Sequence, residues 1–368
     1  MAAGANLGSN HNSRANDGEM IARRGFWPAL STTVTYDSYF ASYTLIGKGF
    51  YPYPLSIPLP FSLLGSDENS NRRVMMGAYW WMYNLYALER NTHKYQSRDV
   101  RKDPRQRYEP SYLAPDTANE IIEARRLLEL WVGESLGDGK TDEEHLRSQG
   151  RALILNQPEL VKGAIITTYT VENSKQPVIV LKPVESYHAY GEMLLCYAMK
   201  TLVNYVATYG SAVSEVLTTK KPKIDSWENI GGQLVPRQRV ELLFQQIKEG
   251  KISSWDEVHH TYSVWAEAYE EDTLTHALGV LSFLLEGKIL SSTLWDTLVE
   301  ETKKLVQKIE EGIYHSKEKD YLSQFTLTTY RNEEEREAVL GNLEDDQLIK
   351  AVHEEMELFL SRLVDVAF

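Results

Sequence analysis

The densest group of side chains that could do chemistry lies near the start of the chain, in residues 8–14 (Gly-Ser-Asn-His-Asn-Ser-Arg). His11 can move a proton near neutral pH, so it could act as a general base that deprotonates a sugar hydroxyl or an amine for attack on an acyl donor. Asn10 or Asn12 could orient the imidazole or polarise a carbonyl. These three residues are the predicted catalytic group. The alternative is a loop rich in Asn and Ser whose side chains bond to their own backbone.

Six further side chains form the predicted substrate-binding group: Arg14, Asp17, Glu19, Arg24, Trp27 and Lys48. Arg14 could bind a phosphate or a carboxylate. Arg24 and Trp27 belong to the run Arg-Arg-Gly-Phe-Trp-Pro, which pairs cations with aromatic rings as a sugar or nucleotide site would. Lys48 could contact a phosphate. The alternative for residues 23–28 is a surface bend held by packing, and none of these residues lies in a Walker or dinucleotide-binding glycine pattern.

A period of six indicates the element that would position these residues. Large apolar residues recur at Val34, Phe40 and Ile46, and a small residue follows two of them, at Ala41 and Gly47. This period fits neither an α-helix nor a flat strand. It is typical of a left-handed parallel β-helix, in which each hexad forms one side of a triangular coil and a small residue turns the corner. Such coils are common in bacterial acyl- and nucleotidyl-transferases, although architecture alone does not fix the chemistry.

The sequence predicts two domains. The first, residues 1–68, consists of left-handed β-helix coils and a proline strap at residues 51–61, where four prolines forbid a helix and enforce extended chain. The second, residues 69–368, is predicted to be mostly helical, and an apolar stripe that begins with Val74 and Ala78 predicts its first helix. The fold class is therefore α+β, mainly α: a short left-handed β-helix remnant at the N-terminus, followed by a large helical domain with a small β-hairpin.

Two finer features are predicted within the helical domain. A hairpin is expected near residues 164–181, because two β-type runs flank the polar segment Glu-Asn-Ser-Lys-Gln. Helical-hairpin repeats are expected over residues 236–316, because the sequence Glu-Gly-Lys-Ile occurs at position 249 and again at position 286. In each copy a serine or threonine follows that could cap a new helix, Ser254 in the first and Thr293 in the second. Two copies are too few for a solenoid.

Composition and charge limit the function classes. The net charge is −13, from 39 basic and 52 acidic side chains, and the whole acidic excess lies beyond residue 72. Such a body repels phosphate backbones and anionic lipid, so neither nucleic acid nor membrane is an expected partner. The sole cysteine, Cys196, lies in an apolar run and is predicted to be a buried structural thiol. The sequence lacks a signal peptide and an apolar run of about 18 residues, so the cytoplasm is the predicted location.

A group of potential metal ligands occurs around residue 260. Asp256 and His260 are four residues apart and could share a helix face, with His259 beside them and His276 further along. The chain has no His-Glu-x-x-His motif, and aromatic residues crowd the same stretch. Ordinary helix surface and core is the preferred interpretation, so no metal is predicted. The sequence identifies no cofactor.

Several segments spread over most of the chain resemble an uncharacterised bacterial family; they are residues 4–14, 24–28, 40–46, 57–61, 227–232, 319–321 and 330–332. Longer members of that family place many left-handed β-helix coils before a helical C-terminal region. The resemblance therefore implies that this chain corresponds to the C-terminal part. It supplies no established activity and no catalytic residues. Because the chain begins almost at the Asn-His-Asn motif, the coils that would form the other wall of a cleft are missing, which lowers the expectation of activity in isolation.

Two functions are compatible with these features. One is a hexapeptide-type transferase, or a fragment of one, that acts on a sugar or sugar nucleotide with an acyl-CoA or nucleotide donor. The alternative is a non-catalytic binding or assembly module whose helical domain docks partners. In either case the open end of a β-helix would expose its core and unpaired strand edges. A homo-oligomer is therefore expected, with trimers favoured by analogy to β-helix transferases, or else an upstream β-helix partner.

Overall fold

The computed structural model describes residues 2–9, 19–67, 72–102, 107–140 and 142–368. Short strands fill the first part of the chain, and helices make up most of the remainder. The prediction of a mainly helical α+β protein is therefore confirmed.

The strands are β1 (Asn6–Ser9), β2 (Met20–Ala22), β3 (Trp27–Pro28), β4 (Thr33–Thr35), β5 (Ser38–Phe40), β6 (Leu45–Ile46), β7 (Phe50–Tyr51), β8 (Ser56–Ile57), β9 (Leu63–Ser66), β10 (Arg73–Met76), β11 (Ile166–Thr168), β12 (Val178–Leu181), β13 (Trp227–Ile230) and β14 (Gln233–Pro236). The helices are α1 (Tyr79–Tyr83), α2 (Leu85–Ser97), α3 (Pro115–Leu136), α4 (Glu143–Asn156), α5 (Pro158–Lys162), α6 (Pro183–Tyr209), α7 (Val213–Thr219), α8 (Arg237–Lys248), α9 (Trp255–Leu284), α10 (Ser292–Leu322), α11 (Gln324–Leu327), α12 (Glu333–Leu340) and α13 (Gln347–Asp365). A short 3₁₀ helix, Leu343–Asp345, precedes α13.

The first nine strands form three parallel ladders, in the orders β1-β4-β7, β2-β5-β8 and β3-β6-β9. From β4 onward, paired residues lie 17 or 18 positions apart in sequence; Val34 pairs with Tyr51, and Ile46 pairs with Leu64. Val34, Phe40 and Ile46 lie on β4, β5 and β6, one in each ladder, and all three are fully buried. The period of six in the sequence is therefore the spacing between successive strands, and it belongs to no helix.

One type of turn between the ladders recurs with the same spacing. Gly25, Tyr43 and Phe61 are 18 residues apart, and all have positive φ angles of 73°, 58° and 55°. The rings of Tyr43 and Phe61 stack with centroids 4.7 Å apart. A Cβ atom on Gly25 would lie 2.4 Å from the Tyr43 ring, so only glycine fits at this position. The bend at these positions is therefore held by packing of each residue on the equivalent residue 18 positions further along the chain.

The proline-rich residues 51–61 continue the ladders, contrary to the prediction of a strap that leaves them. Tyr51 on β7 and Ile57 on β8 pair with β4 and β5, and both are fully buried, as is Leu59 between the strands. The four prolines of this segment lie outside the paired positions, where a missing N–H costs no ladder bond. Extended chain was predicted correctly, but its place in the sheets was not.

The segment around Val74 is a strand, so the helix predicted there is wrong. β10 pairs antiparallel with β9 and parallel with β12, and β11 pairs antiparallel with β12, over the residues where a hairpin was predicted. The result is a six-stranded sheet in the order β11-β12-β10-β9-β6-β3. Partners distant in sequence decide the conformation here, because pairing on both edges outweighs the local helical period. Helix begins only at α1.

Hydrogen bonds from two helices hold the ladders and this sheet in place. The Tyr190 hydroxyl on α6 donates to the Pro60 carbonyl at 2.6 Å and accepts from the Ala78 N–H at 3.1 Å. The Glu120 carboxylate on α3 accepts from the Ser42 N–H at 2.9 Å. These side chains bond to backbone groups that lie outside the strands, two of them in turns of the ladders and one between β10 and α1.

Contacts divide the chain into two compact units. Unit 1 comprises Met1–Met82 and Glu120–Gly191, and unit 2 comprises Tyr83–Asn119 and Glu192–Phe368. This division differs from the predicted boundary between residues 68 and 69. The reason is that β10 and the β11–β12 hairpin extend the sheet of the β3-β6-β9 ladder, and α4 and α5 belong to the same unit, although all of them follow the ladders in sequence.

Unit 2 contains α2 and α7 to α13, and local side chains cap the N-termini of its two longest helices, α9 and α10. Ser254 and Glu257 form a capping box at the start of α9, at the serine predicted as the cap. The cap of α10 is Ser291, whose side chain accepts from the Leu294 N–H, and not the predicted Thr293. Both residue types can cap a helix, so sequence alone placed this helix start two residues too late.

Candidate functional site

The predicted catalytic group lies outside the described residues. Asn10, His11 and Asn12 fall in the segment 10–18, and so do the predicted substrate-binding residues Arg14 and Asp17. Their catalytic and substrate-binding roles stay predictions.

The other predicted binding residues lie at separate places in unit 1. Glu19 is exposed just before β2, and its carbonyl accepts from the Asp37 N–H. Arg24 lies in the turn between β2 and β3, and Trp27 lies on β3. Lys48 is exposed in the turn between β6 and β7, at the opposite end of the β3-β6-β9 ladder from Arg24. The described part of the chain therefore does not bring Arg24 and Lys48 together.

Arg24 and Trp27 both make packing contacts. The Arg24 guanidinium lies over the Tyr43 ring, 5.6 Å from its centroid, and its Nη1 donates to the Tyr43 hydroxyl at 3.4 Å. The Trp27 ring lies 5.8 Å from the Trp80 ring and is 41% exposed. The alternative interpretation of residues 23–28, a surface bend held by packing, accounts for these contacts.

Unit 2 contains a groove that the sequence analysis did not predict. It measures about 930 Å³ and opens between α8, the first turns of α9 and the β13–β14 hairpin; we call it the α8–α9 groove. Its walls are mainly apolar and include Val240, Leu243, Phe244, Ile247, Trp255 and Tyr262. The volume falls within the range of about 300–1,000 Å³ that is typical of ligand-binding pockets.

The turn that shapes the groove is fixed by two residues. Gly250 adopts a positive φ of 71° and ends α8, because its N–H donates to the Ile247 carbonyl in a tight turn. Ser254 then begins α9, and its hydroxyl accepts from the Glu257 N–H at 3.3 Å. Gly250 thus ends one helix and Ser254 begins the next within a few residues, and both helices pack on β14 beside the groove.

A buried base and a few polar groups complete the α8–α9 groove. Val258 at its floor belongs to a core cluster with Val235 and Trp265. At the rim, Arg237 and Glu228 form an ion pair at 2.6 Å. Apolar walls with a paired cation and carboxylate suit recognition of an amphipathic surface. In the sequence, Phe244 and Ile247 only extend the apolar stripe of α8, and the pattern does not show that their side chains stay exposed.

His276, one of the suggested metal ligands, is part of a buried hydrogen-bond network in unit 2. Its Nδ1 lies 2.9 Å from the Tyr197 hydroxyl, and its Nε2 lies 3.0 Å from Asn119 Oδ1. Burial lowers the pKa of His276 to about 4, so the ring is neutral at pH 7, with Nε2 donating and Nδ1 accepting. Both ring nitrogens are used within the protein, and the role of His276 is structural.

Cys196 is buried on α6, as predicted, and burial raises the pKa of its thiol. In the same unit the Tyr112 hydroxyl donates to the Glu89 carboxylate at 2.6 Å, and burial raises the pKa of Glu89. A thiol with a raised pKa is a poor nucleophile near neutral pH.

The described residues contain no group of three or more potential metal ligands close enough to hold an ion, and no helix among them is long and apolar enough to cross a membrane.

Comparison with known proteins locates the groove in a recognised domain. Residues 210–362 match the model of a domain of unknown function (DUF6819), and this range includes the whole α8–α9 groove. Over 362 residues the chain is 40% identical to an uncharacterized protein of Treponema pallidum (strain Nichols); the match covers 96% of this chain and 48% of the relative. The chain thus spans about half the length of that curated relative. No solved structure matches. These similarities support the resemblance to an uncharacterised bacterial family.

Proposed function

We propose that the protein is a non-catalytic assembly and binding module, in which the three ladders are the end of a left-handed β-helix that stacks on further parallel coils. The observation that carries this proposal is the position of β1, β2 and β3, which are the edge strands of all three ladders within the described residues. An edge strand presents unpaired N–H and C=O groups that favour pairing with another chain.

Apolar side chains on the same first turn support the assembly role. Ile21 on β2 is 54% exposed, and Leu30, which follows β3, is 60% exposed. Further parallel strands laid on this edge would pair its backbone groups and cover these side chains. When only this chain is present, we propose that a second copy of it covers the edge strands. In a longer protein such as the relative, residues outside the matched half could provide those coils.

The predicted binding residues also favour a module over an enzyme. The Arg24 guanidinium lies over the Tyr43 ring, and Lys48 lies at another turn. A sugar-nucleotide site needs its cation and aromatic groups to converge on one ligand.

Light scattering coupled to size exclusion tests the assembly proposal. We expect the wild-type chain to be an oligomer at micromolar concentrations, with a trimer favoured by analogy to β-helix transferases. Ile21→Lys places a charge on the edge strand and should give a monomer. Ile289→Lys is the matched control, because Ile289 is also highly exposed but lies in the segment between α9 and α10 of unit 2. A wild-type monomer up to high micromolar concentration would contradict the proposal.

A hexapeptide-type transferase is the second candidate function. It is favoured by the ladder spacing of 18 residues, three hexads per coil, which shortens by one residue where β4 pairs with β7 and β5 with β8, and by the polar segment with His11 between β1 and β2 in the sequence. Thermal-shift screening with acetyl-CoA and UDP-sugars tests it, because a ligand at about 100 times its Kd should stabilise the fold by about 2.7 kcal/mol.

The decisive variant for the transferase is His11→Ala. If His11 is the general base, the His11→Ala protein should fold normally and have a kcat about 10²–10⁴-fold lower than the wild type. Arg14→Ala should instead raise KM, if Arg14 binds an anionic donor. A stable His11→Ala protein with unaltered activity would exclude His11 as the catalytic base.

A further inference from the structure

We infer that the α8–α9 groove is the docking site for a basic amphipathic helix of a partner protein. The inference rests on the binding half of the proposed function and names the partner's chemistry. It concerns unit 2 alone, so its failure would leave the stacking of the ladders in unit 1 untouched.

The first argument is the arrangement of the groove walls. Each of the two helices presents a helical stripe to the groove, at spacings of three and four residues: Val240, Phe244 and Ile247 on α8, and Trp255, Val258 and Tyr262 on α9. Two adjacent helical stripes with an open third side form the groove into which a third helix packs, with its own apolar residues at the same spacings.

The second argument is that the outer part of these stripes lacks cover. Trp255 is 75% exposed and Phe244 is 60% exposed, although both side chains line the groove. Val258, deeper in the same groove, is only 7% exposed. Exposed aromatic side chains that continue into a buried apolar floor form a patch of the kind that marks a protein-interaction site, where aromatic residues often act as hot spots.

The third argument is charge. Of the charged side chains that line the groove, Glu228 and Glu241 are acidic and Arg237 is basic, which gives a net charge of −1, and the surrounding residues 210–362 carry a net charge of −12. The exposed carboxylate of Glu241 lines the groove, and the one guanidinium on its rim, Arg237, is paired with Glu228. A helix with Lys or Arg beside its apolar face is therefore attracted to this surface, whereas an acidic helix is repelled.

Fluorescence anisotropy with the full chain tests the inference. The probe is a labelled 18-residue peptide of Leu and Lys whose leucines form one helical stripe; the comparison peptide has the same composition with scattered leucines. We expect the striped peptide to bind at least 10-fold more tightly than the scattered one. Phe244→Asp should weaken binding at least 10-fold, and Glu241→Lys should weaken it several-fold. Far-UV circular dichroism should show both variants folded, because both side chains are exposed.

Leu242→Asp is the matched control, because Leu242 is 53% exposed on the same helix and does not line the groove. It should leave the peptide affinity within about twofold. Equal binding of both peptides, or equal losses in Phe244→Asp and Leu242→Asp, would overturn the inference in favour of non-specific attraction. Displacement of the peptide by submicromolar dodecanoate would assign the groove to a small apolar ligand instead. Loss of self-association in Phe244→Asp alone would assign it to a second copy of this chain.

Discussion

Gly150 on α4 lies directly against the backbone of α3, and its replacement should measurably destabilise unit 1. A Cβ atom at position 150 would lie 1.8 Å from the Glu129 carbonyl oxygen, well below the 3.0 Å that real Cβ atoms keep. The two helices would have to separate by about 1 Å, and such overpacking typically costs about 1–3 kcal/mol. We take the upper end, about 3 kcal/mol, because a backbone carbonyl cannot rotate away as a side chain can.

Alanine is also favoured over glycine within a helix, and this difference must be subtracted from the cost of overpacking. The difference in helix propensity between Gly and Ala is about 1 kcal/mol. Gly150→Ala should therefore lower the free energy of unfolding by about 2 kcal/mol. Gly191→Ala is the matched control, since Gly191 lies in α6 of the same unit and a Cβ atom there would meet no atom within 4 Å. It should raise stability by up to about 1 kcal/mol.

Urea unfolding followed by circular dichroism measures both variants against the wild type. The account predicts a gap of about 3 kcal/mol between Gly150→Ala and Gly191→Ala, with opposite signs relative to the wild type. Equal stabilities, or a more stable Gly150→Ala, would refute the close contact of α3 and α4.

Three further predictions follow from other contacts. Gly25→Ala should cost about 2–3 kcal/mol in thermal unfolding, because it meets the Tyr43 ring and has a positive φ; a Tyr43→Ala second change should recover part of this. His276 has a folded pKa of about 4, below its ordinary value of 6.5, so the unfolded chain takes up the proton first as the pH falls. The contribution of His276 to the free energy of unfolding is complete above about pH 6.5 and is lost towards pH 4. Between pH 7.5 and 5 the free energy of unfolding should therefore fall by about 2 kcal/mol, and urea unfolding should find no such fall in His276→Gln. Ser291→Ala should cost about 1 kcal/mol of helix stability and Thr293→Ala clearly less, because Ser291 is the cap of α10.

The sequence predicted those features that depend on local period and local caps. Val34, Phe40 and Ile46 recur every six residues, and the structure places them on three successive buried strands. Ser254 and Glu257 have the residue types and the spacing of a capping box, which is present. In both cases the pattern is visible within a few residues of sequence, although the strand pairs themselves join residues 17 or 18 positions apart.

Features that depend on distant partners could not be predicted in the same way. Val74 lies in an apolar stripe of helical period, but pairing with β9 and β12 makes its segment a strand, and β12 follows it by about a hundred residues. Arg24 was expected in a ligand site, and its contact with Tyr43 depends on the 18-residue return of the chain. The α8–α9 groove was missed because the exposure of Phe244 is a property of the packed helices and not of its helix pattern.

Hydrogen–deuterium exchange on the assembled chain tests most directly whether the open edge of the ladders stacks on further coils. Every second amide of an edge strand has no strand partner until another strand is added. The account predicts that residues 20–28, which include β2 and β3, exchange as slowly in the assembled wild type as β5 and β6 do, and exchange rapidly in the Ile21→Lys monomer. Rapid exchange of residues 20–28 in the assembled wild type, with β5 and β6 protected, would show that the edge stays open and would contradict the account.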